Sequence, residues 1–169
     1  MRAERFEEWL KTLLQQGGGQ VKDVTTVKEA GYDRHPFGLS VTYQTGARVL
    51  LQFVATLPDG DKHTSSEQVV EGEKSLPAVP LPEVFESGKV QLERVDQHLA
   101  ALLVNSGSKE LASVTPYSSE PELHSSVRYG LRVVFHDTSR INVYVVHALS
   151  AGRGDGWPHG GEFNVPAAV

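Results

Sequence analysis

The second half of this chain repeats the first. Phe37-Gly38-Leu39-Ser40-Val41-Thr42-Tyr43 is answered 92 positions later by Tyr129-Gly130-Leu131-Arg132-Val133-Val134-Phe135. At the same spacing Arg48-Val49-Leu50-Leu51 meets Arg140-Ile141-Asn142-Val143, and Val54 meets Val146. Further upstream, Arg5, Leu10, Leu13 and Leu14 fall on Arg94, Leu99, Leu102 and Leu103 at a spacing of 89, which places a short insertion between the two matched blocks. Alternation alone aligns apolar positions in any two amphipathic hairpins. It does not align an aromatic-Gly-Leu-x-Val-x-aromatic string together with an arginine beside the turn, so a tandem duplication is expected.

Each copy reads as one helix followed by three strands. In residues 2–16, Phe6, Leu10, Leu13 and Leu14 form one helical face with Trp9 beside it, and Glu4, Glu7 and Glu8 sit early, where the helix dipole favours negative charge. Gly17-Gly18-Gly19 ends that helix, and residues 20–28 read as a strand. Leu39, Val41 and Tyr43, then Val49, Leu51 and Phe53, alternate around a Thr45-Gly46 turn as a hairpin. In the second copy, Val90, Leu92, Val95, Leu99, Leu102 and Leu103 mark a helix over 90–104, and 109–115 reads as a strand. A second hairpin follows, with Leu131, Val133 and Phe135 and then Ile141, Val143 and Val145 around Asp137-Thr138-Ser139. A three-stranded sheet of this size is marginal alone. The expected fold is therefore α+β: a tandem duplication of an α-β-β-β unit, with antiparallel sheets packed around a pseudo-twofold axis. The expected divisions are a first unit at 1–56, a linker or arm at 57–89, a second unit at 90–149 and a Gly/Pro-rich tail at 150–169.

Composition narrows the function classes. At 169 residues, 39% apolar and 22% charged, the chain is long enough for a real core. Its mean hydropathy is −0.28 and no apolar run approaches a membrane span, so no membrane association is expected. There is no cysteine, which excludes disulfides and thiolate metal sites. The net charge of −5 sits almost wholly in residues 57–93, between flanks of +1 and −1. A general nucleic-acid binder carries a basic excess, so nucleic acid is a disfavoured partner. Within the acidic segment, Leu76-Pro77-Ala78-Val79-Pro80-Leu81-Pro82 favours an extended, polyproline-like path. The charged, amphipathic opening at Met1–Arg5 points to a cytoplasmic or virion location.

No catalytic pattern emerges. The α-β-β-β order is similar in layout to that of the restriction-endonuclease-like superfamily, a layout that implies an Asp opening the second strand and a Glu-x-Lys on the third. Phe37/Gly38 and Gln52-Phe53-Val54 stand at those places, and Tyr129/Gly130 and Tyr144-Val145-Val146 in the second copy, so neither membership nor a divalent cation site is expected. His136, Asp137 and His147 offer zinc-ligand types but sit at unequal distances from their turn. The serines at 65, 66, 118, 119, 125 and 126 lack a Gly-x-Ser-x-Gly elbow, and Gly17-Gly18-Gly19 follows a helix where a phosphate loop would precede one. Arg153-Gly154-Asp155 is a three-residue match of the kind that chance supplies. No cofactor is expected.

The expected function is a non-enzymatic structural or adaptor subunit of a larger assembly, such as a phage neck, tail or capsid-surface component. Its partners would be protein subunits, including copies of itself, clasped by the arm (Pro77, Pro80, Pro82) and by the tail (Trp157). The alternative is a small regulatory domain contacting nucleic acid or an acidic partner. It would use an outer face of the second hairpin carrying Arg128, Arg132, His136, Arg140 and Tyr144.

Overall fold

A computed structural model describes residues 1–17, 19–58, 60–61, 66–120, 122, 127–154 and 156–169. Helix α1 (Ala3–Gln16) buries Phe6, Leu10 and Leu14, a one-face spacing, and α2 (Leu92–Asn105) buries Leu92, Val95, Leu99, Leu102 and Leu103. Strands β1 (Val21–Thr26), β2 (Gly38–Tyr43) and β3 (Arg48–Thr56) follow α1, and β6 (Leu111–Pro116), β7 (Gly130–Phe135) and β8 (Arg140–Leu149) follow α2. Between the two sets, β4 (Phe85–Glu86) and β5 (Lys89–Val90) form a two-stranded ribbon. The fold is α+β with antiparallel pairing.

Where the sequence predicts two small sheets packed together, the structure has one. The six long strands lie in the order β1-β2-β3-β8-β7-β6, which reads the same from either edge. The seam is the antiparallel pairing of β3 with β8, which runs from Arg48 opposite Leu149 to Thr56 opposite Arg140. Edge-to-edge joining gives each marginal sheet three more strands and leaves one face for the helices. α1 lies on β1–β3, α2 on β6 and β7, and the helices touch each other. The main core fills that layer, with Phe6, Leu39, Val41, Leu51, Phe53, Leu99, Leu131, Val133, Phe135 and Val143 all buried.

The two units agree in register as well as in order. Gly38 faces Gln52 as Gly130 faces Tyr144, and Val41 faces Val49 as Val133 faces Ile141. The β1–β2 register slips between Val21 and Asp23, and the β6–β7 register slips between Leu111 and Ser113. At the seam Gln52 pairs with Tyr144, its own counterpart at the spacing of 92.

A helix carboxylate recurs too, half-buried as Glu7 and buried as Asp96. Gly38 donates its N–H to Glu7 Oε2 at 2.7 Å, and Gly130 donates to Asp96 Oδ2 at 3.5 Å. Each acid thereby ties its helix to the first residue of its unit's second strand. Asp96, fully buried, also accepts from the Ser118 backbone at 3.1 Å and hydroxyl at 2.6 Å. Burial raises its pKa to about 6 against the pull of those donors, and burial raises Glu7 as well. The folded protein thus holds the Asp96 proton more tightly than the unfolded chain. Its contribution to stability is largest well below pH 4 and is lost as pH rises through 6, about 3 kcal/mol in all, with about 2 kcal/mol of it lost between pH 4 and pH 7. Urea unfolding of wild type and Asp96→Asn at pH 4 and pH 7 checks this. The variant should gain on wild type by about 2 kcal/mol at the higher pH, and a constant difference would show an ordinary carboxylate.

Candidate functional site

The arm lies along its own body. At its start, Glu67 accepts from Arg5 Nε at 3.1 Å and Nη2 at 2.9 Å, while Glu110 takes the rest of the same guanidinium. Gly72 N–H donates to the Lys109 carbonyl at 2.8 Å. Asn105, at the end of α2, closes on the Val79 peptide from both sides, accepting its N–H and donating to its C=O, each at 2.8 Å. The Pro82 carbonyl accepts from Gln20 Nε2 at 3.1 Å and His98 Nδ1 at 3.0 Å, and Val84 N–H donates to Gln20 Oε1 at 2.7 Å. Leu76 packs on the main core and Val84 is buried.

The opposite side of the arm is bare. Pro77, Ala78, Val79, Pro80 and Leu81 are exposed. Among the described residues five large hydrophobic side chains are exposed, and four of them, Val69, Val70, Val79 and Leu81, belong to the arm, at 38 to 57%. Singly exposed apolar residues need no explanation, but a run of them on one segment does. Val79, Pro80 and Pro82 also wall a shallow groove of about 400 Å³ whose far side is Ala100 and Ala101 of α2 with Val114 and Pro116 of β6.

The residues expected on the outer face of the second hairpin divide three ways. Arg132, Arg140 and Tyr144 do share the helix-free face of β7 and β8, opposite Asn142, Val134 and Gly130. Tyr144 is half-buried there between the rings of Tyr117 and Phe163, at 6.1 and 6.2 Å. Arg128 turns to the helix side, 5.1 Å from the Tyr129 ring and beside Glu93, Arg94 and Gln97 of α2. His136 stands past the end of β7 with its ring against Gly72 of the arm, so close that a Cβ on Gly72 would strike it.

The tail, expected to reach outward, covers the sheet. Trp157 is only 8% exposed and joins Val27, Tyr32, Leu50 and Val146 in a second core on the helix-free face. Arg48 lies 5.0 Å over its ring and His147 stacks on it at 6.3 Å. Phe163 N–H donates to the Val146 carbonyl at 2.8 Å. At its end the tail pairs with the segment before α2: Val90 and Val169 exchange hydrogen bonds at 2.7 and 3.0 Å, and Leu92 N–H donates to Ala167 O at 2.9 Å. That last bond occupies a helix-terminal N–H that α2 itself leaves unpaired.

Under the tail lies a polar cluster that sequence reading did not assemble. Glu162 accepts from the Tyr32 hydroxyl and lies 3.2 Å from Arg34 Nε and 3.7 Å from His35 Nε2. The Tyr32 hydrogen bond holds the Glu162 carboxyl below its usual range. Burial lowers both His35 and His147 despite the opposing pull of Glu162, and the Nε2 atoms of both and Trp157 Nε1 are buried without a hydrogen-bond partner. Neutral imidazole is thus favoured in the fold. Its contribution is constant above pH 6.5 and is lost as pH falls below that value. In a Trp9→Phe background, acid unfolding followed by Trp157 fluorescence should begin at a higher pH in wild type than in His147→Phe, which has no imidazole to protonate. Acid transitions that coincide in the two proteins would contradict the assignment. The signal available in the sequence was the polar run Tyr32-Asp33-Arg34-His35. Nothing in periodicity links it to a glutamate 130 residues away.

Among the described residues no three His, Asp or Glu side chains gather to hold a metal ion. Asp137 is engaged by the Met1 amine and by Ser139, whose backbone N–H lies at 2.9 Å. Ser118 is bound to Asp96. His63, His124, Ser65, Ser125, Ser126 and Asp155 lie outside the described residues. No described helix is long and apolar enough to cross a membrane. No family model, no curated protein and no solved structure matches this chain.

Proposed function

We propose that the protein is a non-enzymatic structural or adaptor subunit of a larger assembly, meeting its partner along the outward side of the arm. The observation that carries this reading is the concentration of exposed apolar side chains on Val69, Val70, Val79 and Leu81. Sheet edges support it by offering little. Both outer strands carry a register slip, and β6 ends in Pro116, features that discourage strand addition. The tail's share in the expected clasp passes to the arm, because Trp157 is turned into its own sheet. The nucleic-acid alternative has a smaller basis, since Arg128 and His136 lie away from Arg132 and Arg140.

The test is the size of the native particle. Full-length tagged chain in an extract of its source cells should migrate well above 18.5 kDa. The double variant Val79→Asp/Leu81→Asp, checked for folding by circular dichroism, should migrate as free monomer. Wild type running as a monomer, or the variant staying in the complex, would overturn the reading.

A further inference from the structure

We infer that the arm is a built-in polyproline ligand, and that the partner surface it fits is a groove walled by aromatic side chains and rimmed by Lys or Arg. The inference rests on the reading of the arm as the contact surface and adds the chemistry of what it contacts. Six of the seven residues from Leu76 to Pro82 either are proline or precede one. Proline fixes φ, and the residue before it is pushed out of the helical region, so the segment is held extended by its own covalent structure. In a polyproline helix residues three apart share a ridge. Leu76, Val79 and Pro82 then form one ridge, Pro77 and Pro80 a second, and Ala78 and Leu81 a third.

The body takes hold along the first ridge. Leu76 packs on the core, Asn105 grips the Val79 peptide, and Gln20 and His98 bind the Pro82 carbonyl. Pro77 and Pro80, and Ala78 and Leu81, are left exposed, as is the side chain of Val79, a residue held through its N–H and C=O. Those two adjacent ridges are the surface that aromatic grooves of polyproline-reading domains accept. Because the segment is already clamped in shape, a partner has little conformational entropy to remove on binding it. Charge sets the rest. Exposed Glu71 and Glu73 precede the ridge and exposed Glu83 follows it, with Lys74 the single cation of the arm's described residues 66–84. An acid-flanked ridge selects a basic rim and disfavours an acidic one.

The experiment titrates ¹⁵N-labelled full-length chain with a purified WW-type domain that carries Lys and Arg at its groove rim. The expected result is amide shifts centred on Ala78, Val79, Leu81 and Glu83, with affinity that falls as salt is raised. Pro77→Ala/Pro80→Ala should weaken binding by about tenfold or more. Glu rim residues on the probe should weaken it as well. Both prolines are exposed, so the fold should survive, and Leu81→Asp serves as a second variant. No shifts at millimolar probe, shifts away from the arm, or affinity indifferent to the proline variants would overturn the inference. If the arm variants free the chain from its native complex while the probe fails to bind, the contact-surface reading stands and the polyproline one falls. If the native complex is also insensitive to the arm variants, both fall.

Discussion

Alanine at Gly130 is expected to cost about 3–5 kcal/mol, and alanine at Gly38 about as much. Both glycines open the second strand of their unit with positive φ, 150° and 159°. A Cβ at Gly130 would run into the Val143 carbonyl oxygen, and one at Gly38 into the Leu51 carbonyl oxygen. The obstacle is backbone of the neighbouring strand, which cannot rotate aside as a side chain can. The same glycine N–H groups feed the carboxylates of Asp96, fully buried, and Glu7, half-buried, so any shift of the strand also disturbs a partly or wholly desolvated acid. Gly152→Ala is the control: its φ is 79° but no atom lies near the added carbon, and the cost should stay near 1 kcal/mol. Urea unfolding of the three variants decides the matter. Equal costs at Gly130 and Gly152 would mean that the strand pairing is wrong.

Phe6→Ala should cost about 3–5 kcal/mol and lower the midpoint of thermal unfolding by roughly 10 °C. Phe6 is fully buried, and its ring meets Trp9, Phe53 and Phe135 edge-on at 6.0, 5.2 and 6.4 Å. Phe53 belongs to the first unit and Phe135 to the second, so one side chain of α1 fastens both. Its counterpart on α2 is Val95, a smaller group whose truncation leaves a smaller cavity and should cost less. Calorimetry on both variants provides the comparison. A loss at Phe6 no greater than at Val95 would show that the aromatic cluster does not join the units.

The elements that periodicity governs were legible in the sequence. The predicted 2–16 and 90–104 helices are Ala3–Gln16 and Leu92–Asn105, and the alternating runs became β2, β3, β7 and β8. The single sheet was not legible. Both faces of β3 bury apolar groups, Val49 and Leu51 on one and Leu50 on the other, so the pattern says the strand is interior without saying which strand lies beside it. The carboxylate pair could have been found. Arg5-Phe6-Glu7 and Arg94-Val95-Asp96 match at the spacing of 89, but an acid near a helix start already has a general explanation in the dipole. Trp157 shows a different limit. Gly/Pro-rich composition argues for irregular backbone, and irregular backbone can still be laid over a sheet.

The arm divides in the same way. Its extended path follows from proline chemistry and was read directly. Its attachment depends on Asn105, Gln20 and His98 reaching backbone groups far along the chain, and such single contacts leave no periodic trace.

Native-state hydrogen exchange across the β3–β8 seam tests most directly whether two incomplete units form one cooperative body. Amides of Val49–Phe53 and Ile141–Val145 should exchange only through global opening, with a common free energy equal to that from urea unfolding. Exchange in which one unit's strands open at a distinctly lower free energy while the other's stay protected would contradict the account.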